Sequence, residues 1–192
     1  MRAPVSRRGF LGRLGAAAAL AAGWGLGWSR REATTALGAV KWKLCAPLTG
    51  RVGTSNFHAD NALDFFAANG TNVKLYVFSE TGLVGSGKVT SIRDSCSTVS
   101  NPEHKRVQFN IRTNTGTVIS PGVASHIKPV VAVGNVISGN GGQIGNLNGG
   151  KAVTNCYDPY HTHYGASGMS GVGNWANTSV TAGFHAPWEK YL

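Results

Sequence analysis

Two short stretches hold the residue types and spacings from which hydrolytic chemistry could be built. His161-Thr162-His163 sets two imidazoles two positions apart. On a strand such residues point to one face, so both rings can reach the same atom or substrate. The second stretch, His58-Ala59-Asp60-Asn61-Ala62-Leu63-Asp64-Phe65, puts a histidine near two carboxylates, Asp60 and Asp64. A histidine and a carboxylate, joined by one histidine from a distant strand, make three zinc ligands and leave a coordination position open for water. Such an open site is catalytic, because the metal lowers the pKa of its water to about 7 and so yields hydroxide under mild conditions.

The elements that must position these residues are short. Val73 to Ser79, Gly87 to Arg93, Arg106 to Thr113 and Lys128 to Val133 read as strands. Val107, Phe109 and Ile111 alternate with Gln108, Asn110 and Arg112, the pattern of a half-buried strand. Helical periodicity is confined to the amino-terminal segment, apart from a brief hint near Asn61 to Ala68. Glycine occurs 27 times in 192 residues, about twice its usual share, which suits tight turns between strands. Segment 134–151 concentrates glycines around Val136, Ile137 and Ile144 and reads as turn chemistry between two short strands. It is no phosphate loop, since no Gly-Lys-Ser/Thr follows it. The expected fold class is all-β: a single antiparallel sheet domain with long loops, preceded by a helical signal segment.

Residues 6 to 11 read Ser-Arg-Arg-Gly-Phe-Leu, followed by an apolar stretch from Leu14 to Trp28. A charged region before a short apolar core is a secretory signal, and about 15 apolar residues fall short of the ~20 that a bilayer requires. The paired Arg7 and Arg8 before Phe10 and Leu11 resemble a twin-arginine export signal. The expected address is therefore periplasmic or extracellular, at the cell envelope, with membrane contact only transient through the signal. Ala33, Ala36 and Ala39 all offer small residues for cleavage. The chain has 18 basic and 8 acidic residues, of which six and one fall before residue 33. The remainder, 12 basic against 7 acidic, is a net +5 that suits an anionic surface such as a cell envelope. Nucleic acid is not an expected partner, because the basic residues are scattered and form no run interleaved with aromatics. Cys45, Cys96 and Cys156 fit an exported chain with one disulfide and one thiol. Three pairings are possible, with Cys96–Cys156 favoured.

Laid in order, the motifs resemble the lysostaphin-like zinc metallopeptidases, the family of LytM-type and β-lytic endopeptidases. Pro47-Leu48-Thr49-Gly50-Arg51-Val52 is similar to the opening Pro-x-x-Gly-x-Val. His58 with Ala62-Leu63-Asp64-Phe65 resembles the first metal motif, and Asn69-Gly70-Thr71-Asn72-Val73 a strand start. Ser125-His126-Ile127 resembles the histidine-leucine element. Val133-Gly134-Asn135-Val136 with Gln143-Ile144-Gly145 resembles the segment after it, and His161-Thr162-His163-Tyr164 the closing His-x-His-aromatic. The match runs from about residue 45 to 167. It implies one Zn2+ held by His58, Asp64 and His163, with His126 and His161 as the catalytic, non-ligand pair. Three departures stand out: His58 and Asp64 are six apart where four is commonest, Ala124 occupies a position where Tyr often stands, and Asn135 replaces Asp. Because His-Glu-x-x-His is absent and no Glu lies near the motifs, proton transfer would fall to histidine.

The resulting expectation is a secreted, monomeric metalloendopeptidase that hydrolyses peptide bonds in peptidoglycan stems or cross-bridges. Its segments would be a signal at 1–32 (ending as late as 39), a linker at 33–44, the peptidase domain at 45–167, and a tail at 168–192 packing on or near that domain. A groove flanked by long loops would take the substrate. The alternative is a non-catalytic cell-wall-binding module or hydrolase activator on the same fold. A chymotrypsin-like reading of His58, Asp64 and Ser170 is disfavoured by the short His–Asp separation and the lack of Gly-Asp-Ser-Gly. His104 and His185 are expected in a loop and on the surface.

Overall fold

Alternating side chains build most of this sheet. In the computed structural model, residues 40–53, 61–95, 104–148, 160–167 and 177–184 are described. They form eleven strands: β1 (Trp42–Leu44), β2 (Gly50–Val52), β3 (Ala62–Phe66), β4 (Asn72–Ser79), β5 (Ser86–Asp94), β6 (Lys105–Arg112), β7 (Val118–Pro129), β8 (Val136–Ser138), β9 (Asn140–Leu147), β10 (His161–Ala166) and β11 (Ser179–Val180). There is no helix among the described residues, and the signal segment lies outside them. In β4, Val73, Leu75 and Val77 are buried while the residues between them are not, and β6 repeats this with Val107, Phe109 and Ile111. Each such side chain contributes roughly 1.5–3 kcal/mol by leaving water.

The strands pair antiparallel in the order β1-β4-β9-β7-β10-β3-β2-β11, with β6 on β7, and β5 on both β6 and β8. β7 is the hub. Along one edge it pairs with β6; along the other it meets β10 through Gly122 to Ala124, then β9 through Ile127 to Pro129. β9 approaches closely enough that a Cβ on Gly145 would run into the Lys128 carbonyl oxygen. A single apolar cluster, including Leu48, Leu63, Phe65, Leu75, Phe109, Ile127, Ile144 and Tyr164, fills the inside of this curled sheet. Cys45 is a buried thiol beside it, and burial pushes its pKa up to about 12 against the weaker pull of Lys43. Cys96 and Cys156, and their pairing, lie outside the described residues.

Sequence and structure part at three places. The helical hint near Asn61 to Ala68 is β3, whose residues from Ala62 to Phe65 are all buried because β2 and β10 pair along its edges. The strand expected at Lys128 to Val133 lies earlier. β7 ends at Pro129, and Val130 and Val133 are exposed despite their apolar side chains. β1 starts inside the stretch read as a linker, with Trp42 and Leu44 buried against the core. In the tail, which is expected to pack on or near the domain, β11 pairs with β2 and Val180 joins the core.

Candidate metal centre

The site is built where β3, β10 and β7 run side by side. In the β3–β10 ladder His163 is the Cα partner of Asp64, and His161 of Phe66. Strand alternation then sorts the side chains. Leu63, Phe65, Thr162 and Tyr164 turn inward and are fully buried, while Asp64, Phe66, His161 and His163 share the other face. His163 Nε2 stands 2.9 Å from Asp64 Oδ1, and these side chains are 26% and 11% exposed. His161 stacks on Phe66, with ring centroids 5.2 Å apart and planes inclined by 21°. Two residues beyond His163, Gly165 must remain glycine, because a Cβ there would overlap the Asn61 carbonyl oxygen.

His126 arrives differently. Opposite β6, Val107 pairs with Ala124 and Lys105 with Ile127, so two residues, Ser125 and His126, face one on the partner strand. This is a β-bulge. His126 carries it with φ of +59°, in the left-handed region that a non-glycine residue enters at a cost. Neighbouring bonds hold the conformation: the His126 N–H donates to Ser95 Oγ at 2.9 Å, and Thr162 Oγ1 donates to the Ser125 carbonyl at 2.8 Å. The bulge also shifts the phase of the strand, so that Ala124 and Ile127, three apart, both enter the core. The His126 ring is thereby aimed between the two imidazoles of β10, 4.8 Å from that of His161 and 4.7 Å from that of His163.

The three histidines offer ligand nitrogens within 4.8 Å of one another. Burial lowers the pKa of His126 to about 3, helped by His163, His161 and His104 and opposed only by Asp64. It is therefore a neutral imidazole over the whole mild pH range, with one nitrogen able to donate and the other to accept. Imidazole and carboxylate donors that close suit a divalent cation of zinc's type. The structure thus gathers Asp64, His126, His161 and His163. His58 and Asp60 lie outside the described residues, as do His185 and Ser170. His104 has a neighbour that sequence reading missed. It sits at the bend before β6, with its ring edge-on to His126 at 6.3 Å. Its even spacing from Arg106 and Gln108, on the polar side of the β6 alternation, was the available signal.

No family model and no curated protein matches the sequence. A solved structure described as a candidate M23 peptidase from Pseudomonas aeruginosa matches 64% of this chain at 20% identity, with a TM-score of 0.43. The chain spans 44% of that structure's length.

Proposed function

We propose that the chain is an exported zinc endopeptidase that hydrolyses peptide bonds in peptidoglycan stems or cross-bridges. The observation that carries this reading is the convergence of Asp64, His126, His161 and His163 from three strands onto one sheet face. The ordered motifs described above supply the family to which such a cluster would belong. In this reading His58, Asp64 and His163 hold one Zn2+, which when bound supplies Lewis acidity and a water of lowered pKa. His126 and His161 are the catalytic pair. Held 4.8 Å apart between centroids, they orient the attacking water, accept its proton, and donate N–H to the oxygen of the carbonyl under attack. A donor aimed at a developing oxyanion contributes about 3–4 kcal/mol, or ~100- to 1,000-fold in rate. Phe66, stacked on His161, fixes that ring's plane and keeps water from one of its faces.

The small residues of such peptides, glycine or D-alanine, would suit the narrow groove that this reading expects over the sheet face. The basic balance of the chain favours the anionic envelope where they occur. Incubating the purified protein with peptidoglycan and identifying new peptide termini by mass spectrometry tests the reading. One zinc per chain and chelator-sensitive cleavage are expected. Absence of new termini from zinc-loaded protein on glycyl- and D-alanyl-bridged walls alike would leave the wall-binding alternative in its place.

A further inference from the structure

The sheet face that carries the histidines continues into a second feature. Arg106 and Gln108 alternate with the buried Val107 and Phe109, which puts them on the polar side of β6. Gly165 follows His163 by two residues, about 7 Å along β10, and pairs with Val123 of β7. Next to this pair is a cavity of about 100 Å³, lined by Asn61, Arg106, Gln108, Pro121, Val123 and Ser167 among others. One water needs only about 10–15 Å³ on this measure, so the space admits a larger group.

The chemistry of the lining is one-sided. Among the described residues that line it, Arg106 alone is charged. The Gln108 Oε1 accepts a hydrogen bond from Ser91 Oγ at 2.6 Å, so the amide turns its NH2, a donor, to whatever else it meets. Across the β5–β6 ladder the Cα partner of Arg106 is Arg93. The pairing places a second basic residue next to Arg106. The next pair along the ladder is complementary instead, with Lys105 Nζ 2.6 Å from Asp94 Oδ1.

We propose that this cavity is a subsite for a carboxylate of the peptide being cut, gripped by the Arg106 guanidinium and the Gln108 amide. The assignment of its ligand to a peptide substrate rests on the endopeptidase reading. A planar guanidinium matches a carboxylate with two parallel hydrogen bonds, and the neighbouring amide adds a third donor. At roughly 3.5 Å per extended residue, the carboxylate would sit about two residues from the bond held over the histidines.

Binding of two probe pairs to the full chain tests this, by calorimetry with and without zinc. The pairs are acetyl-triglycine against its C-terminal amide, and acetyl-Gly-Glu-Gly-amide against its glutamine analogue. At least one pair should show an acid preference of about tenfold or more, the span expected for charge-assisted hydrogen bonds. The pair that shows it tells whether a terminal or a side-chain carboxylate is taken. Arg106→Met should abolish the preference and Arg106→Lys should retain part of it. Gln108→Leu should weaken the acid about threefold or more while leaving the amide unchanged, which carries the test if Arg106→Met fails to fold. Equal binding within both pairs overturns the proposal, as does a preference that survives Arg106→Met. A preference lost in His163→Ala but kept in Arg106→Met would assign the carboxylate to the histidine cluster and overturn it too. Cleavage of peptidoglycan without any acid preference would sink the subsite alone. An Arg106-dependent preference without cleavage would sink the endopeptidase reading and leave the carboxylate site standing.

Discussion

The histidines of β10 and the histidine of β7 reach the same point by different backbone geometry. In β10 the chain is regular. His161 and His163 share a face because they are two apart, and the ladder with β3 sets Asp64 directly opposite His163. In β7 regularity is broken. His126 enters the cluster through a bulge and a left-handed backbone at φ +59°, braced by Ser95 and by Thr162 on the adjoining residue. A regular strand can present side chains only at intervals of about 7 Å on one face. Filling the gap between two of them requires a neighbouring strand to change its phase, and β7 does so where it leaves β10 for β9. The first device costs the fold little; the second costs conformational energy that tertiary contacts must offset.

Substitutions on the two strands can break or sharpen that contrast. The largest effect is expected for His163→Ala, which should lose bound zinc and about a thousandfold or more of hydrolysis. Its melting temperature should stay near that of the metal-free parent, since the ring lies on the site face of a regular strand; retained zinc, read by elemental analysis, would refute the ligand assignment. One residue along from Asp64 but on the inner face, Phe65→Ala should leave zinc binding intact in the folded fraction and cost about 3–5 kcal/mol of stability. Denaturant unfolding measures this, and a loss under 1 kcal/mol would contradict the facing inferred for β3.

His126→Ala is expected to keep the metal while activity falls about 100- to 1,000-fold, because the proposed reading makes it an N–H donor to the carbonyl under attack and not a ligand. Loss of zinc instead would transfer the ion to the His126, His161 and His163 group and make ligands of the two proposed catalysts. The smallest effect tests the bulge. His126→Gly should be about 1 kcal/mol more stable than His126→Ala, because only glycine adopts a left-handed backbone without penalty. Equal stabilities would mean that the backbone there is regular.

Much of this was legible in the residues themselves. β4, β5 and β6 were readable to within a residue or so because each buries one side and wets the other. β3 and β7 were not. β3 is buried on both faces and shows no alternation, and β7 mixes Ser120, Pro121, Gly122 and Ser125 with a bulge that resets its period. Local pattern has no access to a strand whose phase is set by two different partners. The pairing of His163 with Asp64 was expected only through family resemblance, since register depends on strands nearly a hundred positions apart. His104 escaped for a related reason: its meaning depends on the ring of His126, 22 positions on.

By itself, the amino-acid sequence determined the all-β class, the shared facing of His161 and His163, and the inward turn of Val107, Phe109 and Ile111. All three follow from a period of two, which is a local property of extended backbone. Only the tertiary structure decided which carboxylate meets which histidine, that His126 completes the cluster, and that the polar side of β6 with Arg106 and Gln108 continues the sheet face of the histidines. Those outcomes rest on strand register and on a bulge, and both are fixed by contacts between segments far apart in the chain.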